Sequence, residues 1–565
     1  RVEIYAAYEQ QCQREGVVDF AELLLRSHEL LERNGVIRRH YQQRFRHILV
    51  DEFQDTNRLQ YRWLKLLAGY SAAHESEMAS MFAVGDDDQS IYAFRGADVG
   101  NMRDFEREFK VTNVIRLEQN YRSHGNILDA ANAIIKNNAE RLGKNLWTEA
   151  GSGEPIRIFE APGDLDEARW IVEEIKALAR DGHARSEIAL LYRSNAQSRV
   201  LEHALFNAGL PYRVYGGLRF FERQEIKHAL AYLRLIANAD DDTAFARVVN
   251  FPTRGIGART LEQLADAALA QQCSLHAAIG YLTGKAHASL SGFAQLIARM
   301  RDGSDGLPLP EVVDHIIALS GLGEHYRNDK EGQDRLENLD ELINAAASFI
   351  AEEGAFETMA TEGGELAAFL AHASLEAGEH QAGDSDDAVQ LMTVHSAKGL
   401  EFNVVFISGL EEGLFPHENA VLEKTGLEEE RRLMYVAVTR ARQRLYLSFA
   451  QTRMLHGQTR YNMASRFLDE IPQGLLKWLT PQLRNASVRS EATASPAHNS
   501  QTRGSTQRAT SGNGWHIGQN VMHDKFGRGI IINAEGSGTD ARVQINFSHA
   551  GTKWLALSVA KLAPA

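Results

Sequence analysis

The 565 residues exceed what one hydrophobic core can organise, so roughly three or four domains are expected. Hydrophobic residues make up 44% and charged residues 24%, near the globular average, and no apolar run approaches the length of a membrane-spanning helix, so a soluble globular protein is expected. A net charge of −14 argues against a nucleic-acid partner only if it is evenly spread, and it is not: residues 351–388 hold ten Asp or Glu and no Lys or Arg, a pattern expected of a solvated loop and helix face.

In chain order, residues 1–44 are expected to be helical, with Phe20, Leu23, Leu24 and Leu31 on a repeating apolar face. Two short apolar strands follow, His47 to Val50 and Met81 to Val84, each ending in acidic residues. Further buried strands are expected at Ile188 to Tyr192 and at Val404 to Ser408. Strands alternating with helices imply parallel α/β sheets, which bind ligands at the carboxyl ends of their strands. From about 222 to 388 helical periodicity dominates, as in Leu336, Leu339, Ile343, Ala346 and Ile350, so a helical insertion interrupts an α/β domain. Residues 481–514, rich in Ser, Thr, Ala, Asn and Gly, are expected to be a flexible linker. Alternation at Arg542 to Phe547 then marks a small β barrel or β-rich module over residues 515–563.

Two cysteines, Cys12 and Cys273, cannot build a disulfide framework, and no Cys/His cluster has metal-ligand spacing, so a reducing interior and no structural zinc are expected. No charged and apolar leader opens the chain, which is expected to begin inside a longer protein.

The candidate chemistry starts at HILVDEFQDT, residues 47–56. An aspartate at a strand end, Asp51, can hold Mg2+ through its hydration shell, and the adjacent Glu52 can polarise water against a phosphate. Taken alone, two solvated acids at a strand end explain the pair equally well. The second strand ends in GDDDQSIYAFRGAD, which puts Gln89 where it can sense a terminal phosphate, beside Tyr92, Phe94 and Arg95. Aromatic and guanidinium groups together suit stacking on unpaired bases, although two aromatics by themselves are more often core residues. Arg122 in LEQNYRS and Arg440 in EEERRLMYVAVTRA are candidates to neutralise a transferred phosphoryl group. TVHSAKGLEF, residues 393–402, is expected to be a strand-to-helix turn where backbone N–H groups, His395 and Lys398 meet an anion.

Seven stretches in this order, HILVDEFQDT, GDDDQSIYAFRGAD, LEQNYRS, YRSNAQSRVLE, GGLRFFERQEIK, TVHSAKGLEF and EEERRLMYVAVTRA, resemble the superfamily 1 DNA helicases of the UvrD/Rep/PcrA type. The resemblance runs from about residue 5 to the C-terminus. It implies an α/β fold with two RecA-like parallel-sheet cores, the first incomplete, a helical insertion and a Tudor-like β module. The implied limits are 1–44 for a remnant of the first accessory domain, 45–117 for part of the first core, 118–221 and 389–480 for the halves of the second, 222–388 for the insertion, 481–514 for the linker and 515–565 for the module.

The resemblance also implies ATP and Mg2+ gripped between two cores of a motor moving 3′ to 5′ on single-stranded DNA and at single/double-strand junctions, in repair and replication, in the bacterial cytosol with the nucleoid. By the same resemblance Asp51 holds Mg2+, Glu52 activates water, Gln89 couples the γ-phosphate to DNA, Tyr121 stacks on adenine, Arg122 and Arg440 reach the γ-phosphate, and Glu401 bonds the ribose. Tyr92, Phe94, Arg95, Asn195, His395 and His417 fall on the single-strand path. TRGIGART, residues 253–260, resembles a helix-hairpin-helix turn, with Gly255 and Gly257 approaching a duplex phosphate. The Tudor-like module is expected to recruit RNA polymerase or mismatch or excision repair proteins, and its removal to weaken partner capture while leaving unwinding intact.

The pattern is departed from in three places. No G-x-x-x-x-G-K-[ST] occurs; Gly280 to Lys285 is one residue short and is followed by Ala286. The family's phosphate loop is expected upstream of Arg1, so a second expectation stands beside the helicase: a truncated DNA- or protein-binding fragment that hydrolyses little ATP. Phe94 stands where the family usually has Trp, and residues 71–81 are longer than the usual connector.

Overall fold

The computed structural model describes residues 2–70, 79–139, 141–215, 217–329, 332–357, 364–377, 387–423, 425–455, 458–480, 515, 517–535, 541–547, 551–557 and 560–564. The expected linker 481–514, most of the long connector 71–81 and parts of the acidic run fall outside them. The chain forms two compact units, residues 1–151 with 419–439, and residues 152–418 with 440–565. Residues 118–151, which the resemblance assigns to the second core, pack in the first unit.

In the first unit, helices Val2–Glu15, Phe20–Arg33 and Gly35–Arg44 lead into β1, His47–Val50. β1 pairs in parallel with β2, Ser80–Ala83, in the register His47 to Ser80 through Val50 to Ala83. Between them helix Arg58–Ala68 opens on an Asn57–Gln60 capping box and closes on Gly69 at φ +77. Its buried Tyr61, Leu64, Leu67 and Ala68 recur at three- to four-residue spacing and pack with Ile48 and Phe53. Of the expected apolar face on the second helix only Leu31 is buried, and Phe20 is 92% exposed. The core cluster takes in Leu31 and Ile37 from this end of the helical segment and does not reach Phe20, one helix-length away.

In the second unit, β3 Ile156–Gly163, β4 Ile188–Tyr192, β5 Tyr212–Val214, β6 Val389–Thr393, β7 Phe402–Ile407, β8 Ala441–Leu455, β9 Gln458–Tyr461 and β10 Leu476–Trp478 form one sheet, ordered β10-β3-β8-β7-β4-β6-β5. Every pair along that path is parallel, and β9 runs antiparallel beside β8. β4, IALLY, is buried at all five positions, as a central parallel strand covered on both faces must be. The helical insertion leaves after β5 and returns at β6, and these neighbours pair Tyr212 with Val389, so the chain closes its excursion where it opened. The insertion has its own core, including Leu339, Ile343 and Ala346 of helix Gly332–Glu357. The C-terminal strands β11 Asn520–His523, β12 Gly527–Glu535, β13 Arg542–Phe547, β14 Gly551–Ala556 and β15 Leu562–Pro564 form an antiparallel sheet, with alternate residues Val543, Ile545 and Phe547 buried. Among the described residues no helix is long and apolar enough to cross a membrane.

The insertion's core carries a built-in pH dependence. His228 is buried 3.9 Å from the Phe251 ring and 3.2 Å from the Tyr326 hydroxyl. Burial, then the charges of Arg247, His325 and Arg335, push it down to about 4. A histidine whose folded pKa lies below its unfolded value binds fewer protons when folded, so stability is full above about 6.5 and falls as pH drops towards 4. Urea midpoints are expected to reveal a loss of about 2 kcal/mol between pH 7 and pH 5 that His228→Gln removes; an unchanged slope in the variant refutes the assignment.

Candidate functional site

The two strand ends of the first unit are locked by one amide. Glu52, just past β1, sits in the left-handed region at φ +48 and projects its carboxylate beside the exposed Asp51, whose Oδ1 accepts the Glu52 N–H at 2.9 Å. Gln54 is fully buried; its Nε2 donates to Glu52 Oε2 at 2.6 Å and its Oε1 accepts the Asp86 N–H at 2.9 Å. The loops after β1 and β2 are thereby fixed to each other. Gly85 is required there, because a Cβ would stand 2.6 Å from Gln54 Oε1 and 3.3 Å from the Phe53 nitrogen.

The acids after β2 are already partnered, two of them by cations. Arg141 binds Asp88 through two bonds, Nε to Oδ1 at 2.7 Å and Nη2 to Oδ2 at 2.6 Å, Lys144 pairs with Asp86, and the Leu142 N–H donates to Asp87 Oδ2 at 2.7 Å. Burial raises Asp88 above the ordinary carboxylate value although Arg141 opposes it. Gln89 Nε2 donates to Asp86 Oδ2 at 2.6 Å, which ties the candidate phosphate sensor to this clamp.

Downstream, the Arg95 guanidinium lies 5.3 Å from the Tyr92 ring centroid and 5.4 Å from that of Phe94, and Phe94 is 67% exposed. Three flat groups with one aromatic open to solvent have a geometry that suits stacking. Glu429 Oε1 accepts the Ala93 N–H at 3.1 Å and steadies the turn that carries them. In the same unit Asn120 Oδ1 accepts the N–H groups of Arg122 and Ser123, both at 2.8 Å. The Arg122 guanidinium donates to the Thr439 carbonyl at 3.4 Å, and Tyr121, 86% exposed, offers a bare ring face.

In the second unit Arg440 is buried, 2% exposed, and donates to the Leu400 carbonyl at 2.9 Å. Glu401 pairs with Arg442. The expected strand-to-helix turn at 393–402 is corrected: residues 394–399 form hydrogen-bonded turns and the chain re-enters the sheet as β7. Gly399 at φ +85 and the return to strand at Phe402 leave no room for a helix, so His395 and Lys398 stand on a turn. Ser194, the chain neighbour of Asn195, is linked to His417 through a residue the motifs do not contain. Glu337, on helix Gly332–Glu357 of the insertion, accepts from Ser194 Oγ at 2.6 Å and lies 3.6 Å from His417 Nε2. Burial pushes the Glu337 carboxyl up, but the bonds from His417 and Ser194 outweigh it and hold it below its ordinary value. Arg223 completes the joint, donating to the Asn195 carbonyl at 3.0 Å and to Asn338 Oδ1 at 2.8 Å.

Gly255, at φ +73, and Gly257, directly before helix Ala258–Gln271, have no atom within 4 Å of where a Cβ would stand. Between them Ile256 is buried, and Asn250 Oδ1 accepts the N–H groups of Arg254 and Ile256 at 2.8 and 3.1 Å. The turn is anchored below and open above, a geometry that admits a phosphate to backbone amides.

The sequence reading missed Gln54, Arg141, Lys144 and Glu337. Only Gln54 had a signal, since it lies inside HILVDEFQDT with Gly85 opposite; the others reach their partners from more than fifty residues away.

For a nucleotide and its metal, the exposed hard oxygens of Asp51 suit Mg2+ and the bare Tyr121 ring suits a base. No glycine-rich lysine loop for the β- and γ-phosphates occurs in the 565 residues.

The profile of the UvrD-like helicase C-terminal domain matches residues 115–452, that of the UvrD/REP helicase N-terminal domain residues 1–110, and that of the PcrA/UvrD tudor domain residues 517–565. DNA helicase II of Escherichia coli (strain K12) is 50% identical over 567 residues, covering 99% of this chain and 76% of that protein. DNA helicase II of Haemophilus influenzae is 47% identical, over 99% of this chain and 75% of its own length. ATP-dependent DNA helicase PcrA of Staphylococcus aureus (strain Mu50) is 39% identical, over 99% and 76%.

Proposed function

Because this chain belongs to the UvrD-like DNA helicase family, we propose that it is the motor of an ATP-dependent DNA helicase that translocates 3′ to 5′ along single-stranded DNA. The observation that carries this reading is the Asp51–Glu52 pair at a strand end, with Glu52 held by Gln54 and Asp51 exposed, two carboxylates in different surroundings. Asp51 would hold Mg2+ through its hydration shell, and the ion would supply charge neutralisation to the phosphates. Glu52 accepts the proton of the attacking water. Gln89, bonded to Asp86, is the residue assigned to couple the phosphate state to the neighbouring platform of Tyr92, Phe94 and Arg95, which stacks on successive bases. Tyr121 stacks on adenine, Glu401 bonds the ribose, and Arg122 and Arg440 supply guanidinium charge to the transferred phosphoryl group. Asn195, His395 and His417 contact the strand, Gly255 and Gly257 a duplex phosphate at the junction, and the C-terminal module recruits a repair or transcription partner.

The test uses the intact gene product with a duplex carrying a 3′ or a 5′ single-stranded tail. Single-stranded DNA is expected to stimulate ATP hydrolysis, with unwinding of the 3′-tailed duplex only. An unstimulated rate, or unwinding from the 5′ tail, sinks the reading. The lack of a glycine-rich lysine loop in the 565 residues favours a second one, a DNA- or protein-binding polypeptide without hydrolysis, which ATPase activity of the 565-residue chain by itself excludes.

A further inference from the structure

In the second unit, three donor groups meet where the helical insertion packs on a helix of the sheet-bearing part. His203 comes from helix Ser198–Asn207, and His372 and Glu376, one turn apart and therefore on one face, come from helix Gly364–Glu376. His203 Nδ1 lies 2.5 Å from Glu376 Oε1, His372 Nε2 lies 3.4 Å from the same oxygen, and the three donor atoms fall within 4.8 Å of one another. They border a cavity whose wall includes Phe206, Phe221, Phe349 and Leu375. Two further features surround them. His372 Nδ1 is buried without a hydrogen-bond partner, and the Asn207 amide lies 3.0 Å from His203 Nε2.

We propose that His203, His372 and Glu376 bind a divalent transition-metal ion, zinc or its close analogues, that clips the helical insertion to the sheet-bearing part of the unit. Two imidazole nitrogens and one carboxylate form the donor set that zinc, cobalt and nickel take, and that Mg2+ and Ca2+, which prefer oxygen, do not. Bonds of about 2.0–2.1 Å in a tetrahedron set donor atoms roughly 3.4 Å apart. The His372–Glu376 pair already has that spacing. The His203–Glu376 pair is at hydrogen-bond distance, so the metal replaces a proton there and the two side chains part by roughly 1 Å. When His203 binds through Nδ1, its Nε2–H needs an acceptor, and the Asn207 amide, turned to present its oxygen, provides one and fixes the tautomer. Glu341, paired with the nearby Arg199, offsets that arginine's repulsion of a cation. The remaining coordination position faces the cavity and takes water.

This site is invisible to motif spacing because His203 and the other two donors are separated in sequence by most of the insertion. An ion bound here favours the folded joint only, since the unfolded chain does not bring the two helices together.

The full chain, freed of metal by a chelator, is titrated with Co2+ and Zn2+. One saturable equivalent of Co2+ with a visible ligand-field band is expected, displaced by Zn2+, together with a rise in the thermal midpoint on adding Zn2+. His203→Gln and His372→Gln are each expected to lose the band and weaken zinc binding by about tenfold or more. Glu376→Gln, which keeps the side chain's shape, serves where a histidine variant folds poorly by circular dichroism. Absence of a saturable band in the unaltered chain overturns the proposal, as does a band that survives in all three variants, which marks adventitious binding at other histidines. A midpoint that responds to pH but not to zinc also overturns it, because the cluster then holds only a proton.

Discussion

Glu52→Gln is expected to reduce single-strand-stimulated ATP hydrolysis by about 10²- to 10⁴-fold while leaving the KM for ATP within about threefold, the signature of a lost general base. The substitution keeps the side chain's length and an acceptor oxygen, so Gln54 Nε2 retains a partner and the link from the β1 loop to Asp86 survives. The left-handed backbone at φ +48 is also tolerated by either residue to a similar degree. Single-strand binding, which the proposal assigns to Tyr92, Phe94 and Arg95, is expected to persist. Single-turnover hydrolysis by the intact gene product is the measurement. A variant that hydrolyses at the parental rate removes Glu52 from the chemistry.

Arg453→Met is expected to destabilise the second unit by about 3–5 kcal/mol, because it leaves two buried carboxylates without a counter-charge. Arg453, on β8, donates Nη2 to Glu411 Oε1 at 2.7 Å and to Glu167 Oε2 at 2.8 Å, and Nε to Glu411 Oε2 at 3.0 Å. Both glutamates are buried, and each keeps neutral donors: the Ala450 N–H and Asn462 amide on Glu411, and the Gly409 N–H and Ser448 hydroxyl on Glu167. Burial raises the Glu411 pKa above its ordinary value, with Arg453 opposing that rise. Without the arginine it rises further, so the variant takes up a proton as the pH falls and its deficit shrinks from pH 8 to pH 5. A packing defect has no such pH dependence. Adding Glu411→Gln and Glu167→Gln is expected to recover about half the loss. Urea unfolding followed by circular dichroism tests the series, and a deficit below about 1 kcal/mol for Arg453→Met rejects the argument.

Local chemistry was readable wherever it lay within a few residues of its own signal. Strand Ile188–Tyr192 is five apolar residues and is buried at all five, and Arg542–Phe547 alternates and forms a half-buried strand. The two strand ends with their acids and the Gly-Ile-Gly turn were likewise legible. Phe20 was misread because amphipathic spacing says which face can be buried, not whether a partner packs on it. The expected helix after Thr393 failed for a related reason: Gly399 and the pairing of β7 with β4 pull the segment back into the sheet.

The sequence alone determined the parallel α/β plan, the insertion, the C-terminal β module and the identities of the chemical groups, because hydrophobic period and motif order are local properties. Only the tertiary structure decided that Gln54 couples two loops, that Arg141 and Lys144 pair with Asp88 and Asp86 after β2, that Glu337 joins Ser194 to His417, and that His203 meets His372 and Glu376. Each of these pairs residues distant in the chain, and no pattern in the intervening residues encodes such a contact; it exists because packing the helices and strands brings the groups within bonding distance.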